Sequence, residues 1–248
     1  MKQPYHPIWH FPTAKMLNYS LNYLLKSFGL YQFWQVLKQD FQIIFERDPA
    51  ARNWLEVILC YPGLHALFLY RIAHYLYLRN ILVLPRLISH LARFLTGIEI
   101  HPGAKIGHGV FIDHGIGVVV GETAIIGDYV LIYQGVTLGG TGKETGKRHP
   151  TLGNNVVVGA GAKVLGNIHI GDRVRVGAGS VVLRDVPDDC TVVGIPGRNI
   201  CRNGNECLAV LEHGKLPDVE GNLIRSLVSR VQTLETQLQT LQNQQHQK

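Results

Sequence analysis

Two histidines sit at the two places where an otherwise regular chain breaks its rhythm. His114 follows a carboxylate, in Asp113-His114-Gly115, and His149 follows a guanidinium, in Arg148-His149-Pro150. An imidazole titrates near working pH, so a histidine with a carboxylate partner is the usual general base. Glu99, fifteen residues before His114, is a second carboxylate that an irregular chain entry brings within reach. Arginine's fork binds carboxylates bidentately, so Arg148 beside His149 suits a substrate that carries a carboxylate. Lys143 adds a cation to the same segment. The chemistry implied is general-base catalysis on a small molecule that carries a carboxylate. A zinc site built from His101, His108 and His114 would need three imidazoles to converge, and their spacing builds no shared site. No metal is expected.

The rhythm that His114 and His149 interrupt has a period of six. Ile100, Ile106 and Ile112 share one phase, with Ala104, Val110 and Ile116 four residues after each. Val120, Ile126, Ile132 and Leu138 make a second phase, and Leu152, Val158, Val164, Ile170, Val176 and Val182 a third. Such a repeat outranks local propensity. Each hexapeptide reads as a short strand and a turn, three strands close a triangular coil, and coils stack about 4.8 Å apart. The product is a parallel β-helix of about four coils, a number that follows from thirteen phase-matched hexapeptides and the three strands of each coil. From Ile112 to Val120 is eight residues and from Leu138 to Leu152 fourteen, each two over a multiple of six. The first excess falls at Asp113-His114-Gly115. The second, Gly139 to Pro150, has no inward aliphatic residue and is expected to be extruded as a loop. His108 and His169 obey the repeat and read as solvated turn residues.

Glycine placement sets this block apart, with 22 of 27 glycines between Gly97 and Gly197 and all three tryptophans before it. Residues 14 to 96 read as helices. Leu17, Leu21, Leu24 and Leu25 share a face, as do Phe33, Val36, Leu37 and Phe41. Asp48-Pro49-Ala50 reads as a helix start, with an N-cap carboxylate before a first-turn proline. A break is expected at Pro62-Gly63, and a further helix from about Ile81 to Leu95. In the tail, Ile224, Leu227, Val231, Leu234, Leu238 and Leu241 step by three and four, a short coiled-coil seam.

Net charge is +6 with a pI near 9.2, but Lys and Arg are scattered, without the basic run of a nucleic-acid binder. An anionic small molecule suits such a dispersed excess as well. Cys60, Cys190, Cys201 and Cys207 form no disulfide framework or CxxC pair; they read as reduced thiols in a cytoplasmic protein. No signal peptide or membrane span is visible.

Five motifs together carry a resemblance: Asp113-His114-Gly115-Ile116-Gly117, Val120-Gly121-Glu122-Thr123-Ala124, Gly135 through Lys143, Arg148-His149-Pro150, and Gly159-Ala160-Gly161-Ala162-Lys163. From about Asp48 to Arg198 the chain resembles serine O-acetyltransferase, within the hexapeptide-repeat acyltransferase superfamily. The resemblance implies an α+β fold: an N-terminal helical domain (1–97), a left-handed parallel β-helix (98–200) and a tail with a coiled-coil helix (201–248). It implies acetyl transfer from acetyl-CoA, as co-substrate with no cofactor, to the hydroxyl of L-serine, and inhibition by L-cysteine at the same place. His114 would be the general base, and Glu99 would hold the position of an orienting aspartate. Asp48, Asp113, Arg148 and His149 would bind serine. Gly140, Thr141, Ala160, Gly161 and Ala178 would line the acetyl-CoA cleft, with Lys163 near a phosphate. Val193 through Arg198 resembles the family's strand near the adenine end. The site would lie between neighbouring chains of a homotrimer or a dimer of trimers. Members that dock with O-acetylserine sulfhydrylase end in isoleucine; this chain ends Gln245-His246-Gln247-Lys248, so docking by that route is not expected. The alternatives are another hydroxyl or amine acceptor, or a non-catalytic regulator of cysteine synthesis.

Overall fold

The computed structural model describes residues 30–142, 145–201 and 219–246. The Leu17–Leu25 face, Lys143 and Cys207 lie outside the described residues. Four helices come first: α1 (Leu30–Arg47), α2 (Trp54–Cys60), α3 (Pro62–Leu78) and α4 (Leu84–Thr96). The expected break at Pro62-Gly63 is real, and α2 and α3 meet at 68°. Gly63 is obligatory there, because an added Cβ would run into the carbonyl oxygen of Ile112. No single helix among the described residues is long and apolar enough to cross a membrane.

The helix start expected at Asp48-Pro49-Ala50 is instead a turn. The Asp48 amide closes α1 on the Ile44 carbonyl, and the Asp48 carboxylate accepts the Ala50 amide at 2.8 Å. The next helix is capped by Asn53, whose side chain accepts from the Glu56 amide at 2.9 Å. Asp-Pro and Asn-x-x-Glu are both helix-start signals. The second wins because Asp48 is consumed by the turn.

A buried ion pair fastens the helices to the first coil. Asp40 is 1% exposed and meets Arg71 at 3.0 Å. Arg71 also donates to the carbonyls of Ile106 and Gly107, and Asp40 accepts from the Val110 amide. Breaking such a pair leaves an uncompensated buried charge, which is far costlier than the pair is stabilising.

The β-helix has three parallel faces. The first holds β1 (Glu99–Ile100), β4 (Val119–Val120), β7 (Thr137–Gly139), β10 (Lys163–Leu165) and β13 (Val181–Val182). The second holds β2 (Lys105–Ile106), β5 (Ile125–Ile126), β8 (Thr151–Leu152) and β11 (His169–Ile170). The third holds β3 (Phe111–Ile112), β6 (Leu131–Ile132), β9 (Val157–Val158), β12 (Arg175–Val176) and β14 (Cys190–Val193), ending in antiparallel β15 (Arg198–Cys201). Register stacks like on like: Ile100 pairs with Val120, Val120 with Leu138, Leu138 with Val164, and Val164 with Val182. Each phase residue read from the sequence falls on a strand, and all but Ile106 are buried. One companion was misassigned. Ile116 is 70% exposed and Val118 fills its place at 0%, because the two extra residues precede that position and displace the inward phase.

The cysteine expectation is also corrected. Cys190 and Cys201 are disulfide-bonded, facing each other across the β14–β15 ladder. The ten residues between them straddle a tight turn, a hairpin relation that a six-residue period does not reveal. Cys60 is free and exposed. The tail helix is present as α5 (Val219–His246), with Ile224, Leu227, Val231, Leu234 and Leu238 all exposed.

Candidate active site

Successive coils cross three corners, and two of them share one backbone conformation with different side chains. Between the second and third faces, Tyr129, Asn155, Arg173 and Asp189 adopt left-handed φ of 55–58°. Each amide bonds to the coil before, as Asn155 does to the Asp128 carbonyl at 2.9 Å. Beside them runs a ladder of short polar side chains: Asp128 accepts the His108 amide, Asn154 that of Asp128, and Asp172 that of Asn154. Between the third and first faces, the equivalent positions are Gly117, Gly135, Gly161 and Gly179, with φ of 69–76°. The left-handed turn costs an L residue about 1–2 kcal/mol, yet the sister corner accepts it at every coil after the first, where Gly109 stands beneath the Tyr129 ring. An added Cβ at Gly117 or Gly135 would sit in ordinary contact, 3.6 and 3.4 Å from the next glycine, and at Gly161 or Gly179 it would meet nothing within 4 Å. Neither backbone conformation nor packing within the chain requires glycine at this corner. The stack leaves an open channel along which a ligand can approach the backbone. A cavity of about 170 Å³ beside it is lined by Tyr133, Val157, Ala160, Arg175 and Ala178.

His114 stands at the start of this glycine corner, in the enlarged turn between β3 and β4. Its φ is 57° and its side chain is 73% exposed. The Asp113 carboxylate lies 4.0 Å from the imidazole Nε2. Asp48 belongs to the same cluster. Its second oxygen accepts from the Tyr61 hydroxyl at 2.6 Å. Burial, then the Asp48 hydrogen bond and the charges of Asp48, Glu56 and Asp113, push the Tyr61 phenol above its ordinary range. Tyr133 is raised by burial and feels both Asp113 and Asp48. Glu99 begins the coil below, where β1 pairs with β4. Its carboxylate is met by Arg93 at 2.9 Å, so its partner in this structure is a cation on α4.

Arg148 and His149 sit at a different corner, between the first and second faces, where the extruded loop returns to β8. His149 is 8% exposed. Its Nδ1 accepts from the Thr123 amide at 3.2 Å and faces the Thr123 hydroxyl at 2.8 Å. A backbone N–H can only donate, so the neutral ring carries its proton on Nε2. Burial holds the imidazole below the ordinary histidine range, and the Arg148 and Lys147 charges add to this against the pull of Glu122. Gly121 is required beneath it, since a Cβ there would strike the ring. Arg148 is pinned by Glu122 at 2.5 Å, and that bond holds the Glu122 carboxyl below its usual range. Tyr77 reaches the other Glu122 oxygen at 3.5 Å.

The six expected cleft residues divide between these corners. Ala160, Gly161 and Ala178 line the glycine corner, while Gly140 and Thr141 lie on the extruded loop. Lys163 is not extended toward solvent. Its ammonium donates to the Gly135 carbonyl on the wall of the channel. His101, His108 and His114 lie at three different corners, and no group of three or more His, Cys, Asp or Glu among the described residues could hold a metal ion. Tyr61, Glu122, Thr123 and Lys147 were passed over in the sequence. Glu122 and Thr123 were legible only as part of a motif, because their partners lie 26 residues away.

Residues 149–184 match the family model described as bacterial transferase hexapeptide (six repeats). The chain is 72% identical over 206 residues to the serine acetyltransferase of Synechocystis sp., covering 83% of this chain and 82% of that one. It is 68% identical over 207 residues to that of Synechococcus elongatus, covering 84% of each. Among solved structures, the Brucella abortus serine acetyltransferase in complex with coenzyme A gives a TM-score of 0.69 at 41% identity over 77% of this chain and 76% of that one. The Neisseria gonorrhoeae enzyme in complex with serine gives 0.67 at 41%, over 74% and 75%. A serine acetyltransferase in complex with cysteine gives 0.68 at 43%, over 75% and 77%.

Proposed function

Because the chain belongs to the serine acetyltransferase family, we propose that it moves the acetyl group of acetyl-CoA to the hydroxyl of L-serine, giving O-acetyl-L-serine and CoA. The observation that carries this reading is the charge on the two corners. Asp48 and Asp113 present carboxylates at the glycine corner, and Arg148 with the Nε2–H of His149 presents donors at the loop corner. Serine is a zwitterion, and these are the counterparts of its ammonium and its carboxylate. One chain holds the two sets on separate edges of a prism. A neighbouring copy whose loop corner abuts the glycine corner completes the site, and three copies arranged in a ring satisfy every corner.

In that site the pantetheine arm lies along Gly135, Ala160, Gly161 and Ala178, and the loop residues Gly140 and Thr141 close over it from the neighbour. His114 takes the proton of the serine hydroxyl as its oxygen attacks the thioester carbonyl. The carbon–sulfur bond breaks, and the imidazolium returns the proton to the departing thiolate. Glu99, one coil below at the same corner, orients the imidazole, with Arg93 steadying its carboxylate. L-cysteine carries the same ammonium and carboxylate, so it takes the same seat and inhibits. The left-handed sense of the coil, the domain limits at 97 and 200, a cytoplasmic location, and pairing of α5 helices across copies through the Ile224–Leu238 seam complete the reading.

The test is release of CoA thiol with and without L-serine, repeated with added L-cysteine. Release should require serine, fall with cysteine, and drop at least a hundredfold in His114→Ala, the usual scale for a lost general base. Near-normal turnover in that variant would refute the mechanism.

A further inference from the structure

The extruded loop must return to the coil with Arg148 and His149 at fixed positions, and the structure shows what fixes them. On the donor side, the Arg148 and His149 amides both reach the Thr123 hydroxyl, at 3.0 and 3.2 Å. On the acceptor side, three backbone carbonyls converge: those of Thr123, His149 and Pro150. One atom serves all three. The Lys147 ammonium donates to Thr123 O at 2.8 Å, His149 O at 2.5 Å and Pro150 O at 3.2 Å. An ammonium carries three donors on one nitrogen, which matches this seat. The anchored residues are the ones that matter: Thr123 holds the His149 ring, and Pro150 O accepts from Ile125 where the ladder resumes. No carboxylate lies within ion-pair distance of Lys147 among the described residues.

We infer that Lys147 is a positioning residue for the acceptor's carboxylate, its ammonium seated on three carbonyls so that Arg148 and His149 present one fixed binding edge. This rests on the serine acetyltransferase reading and names a residue that acts through its neighbours. A second consequence follows from charge. His149 faces Arg148 and Lys147 beside it in the chain, Glu122 on the coil below, and His101 one coil further down. Removing the Lys147 charge takes away one of the groups that keep the imidazole neutral.

The experiment is steady-state thiol release by Lys147→Met and Lys147→Gln full-length protein, with thermal unfolding alongside. The Met variant should raise the KM for L-serine about tenfold, with kcat at saturating serine within about threefold and the KM for acetyl-CoA unchanged. That tenfold is the scale of about 1.4 kcal/mol of binding. The Gln variant, which keeps two donors, should fall between Met and wild type, and it decides the matter should Met fail to fold. An unchanged serine KM overturns the inference, as does an equal loss in kcat and both KM values accompanied by a lowered unfolding temperature. Wild-type protein that releases no thiol in response to serine overturns the functional reading itself, and the inference with it.

Discussion

Replacing Gly161 by alanine separates the two explanations for the glycine corner. At φ of +71° the residue is left-handed, and the new methyl would meet nothing of its own chain within 4 Å. The cost to folding is therefore the conformational penalty alone, about 1–2 kcal/mol. At about 2–4 °C per kcal/mol for a chain of this size, unfolding should move down by some 2–8 °C. Asn155 gives the calibration, since it holds φ of 55° at the sister corner with its side chain in place; Asn155→Gly should be neutral or slightly stabilising. Function should respond differently. If the pantetheine arm lies against the Gly161 backbone, a methyl displaces it, and the KM for acetyl-CoA should rise tenfold or more while that for serine holds. The assay is thiol release at saturating serine with acetyl-CoA varied, with Asn155→Gly run in parallel. A folded Gly161→Ala protein with unchanged acetyl-CoA KM would show that the corner is glycine for some reason other than ligand approach.

Two further outcomes follow. His149 and His101 both titrate below the usual histidine range because they are buried. A base with a depressed folded value takes up protons first in the unfolded chain, so stability should fall as pH drops below about 6.5; thermal unfolding across pH 5 to 8 should show a shallower slope in His149→Gln, and an unchanged slope would contradict the burial argument. The Cys190–Cys201 bond closes a short loop across β14 and β15, worth about 3 kcal/mol on a chain-entropy reckoning; reductant should lower the unfolding temperature of the wild type but not of Cys201→Ser, and equal responses would place the effect elsewhere.

The repeat made most of the β-helix legible. A side chain that points inward once per short strand leaves a periodic trace that needs no partner to be read, and so Ile100, Val120, Leu138, Val164 and Val182 could be recognised as inward-facing from spacing alone; that they stack on one another came from the register. The two breaks were legible for the same reason, and with them His114, Arg148 and His149. What the spacing did not contain was direction. Whether Asp48 caps a helix or a turn depended on competition with Asn53. Whether Ile116 or Val118 fills the core depended on which side of the insertion the phase resumes. The pairing of Cys190 with Cys201 needed a hairpin, and the neutral Nε2–H tautomer of His149 needed the Thr123 amide, 26 residues away. Local sequence sets the period and places each chemical group along the chain. Only the closed coil decides which corner that group faces, because it is fixed by hydrogen bonds between residues one full turn apart.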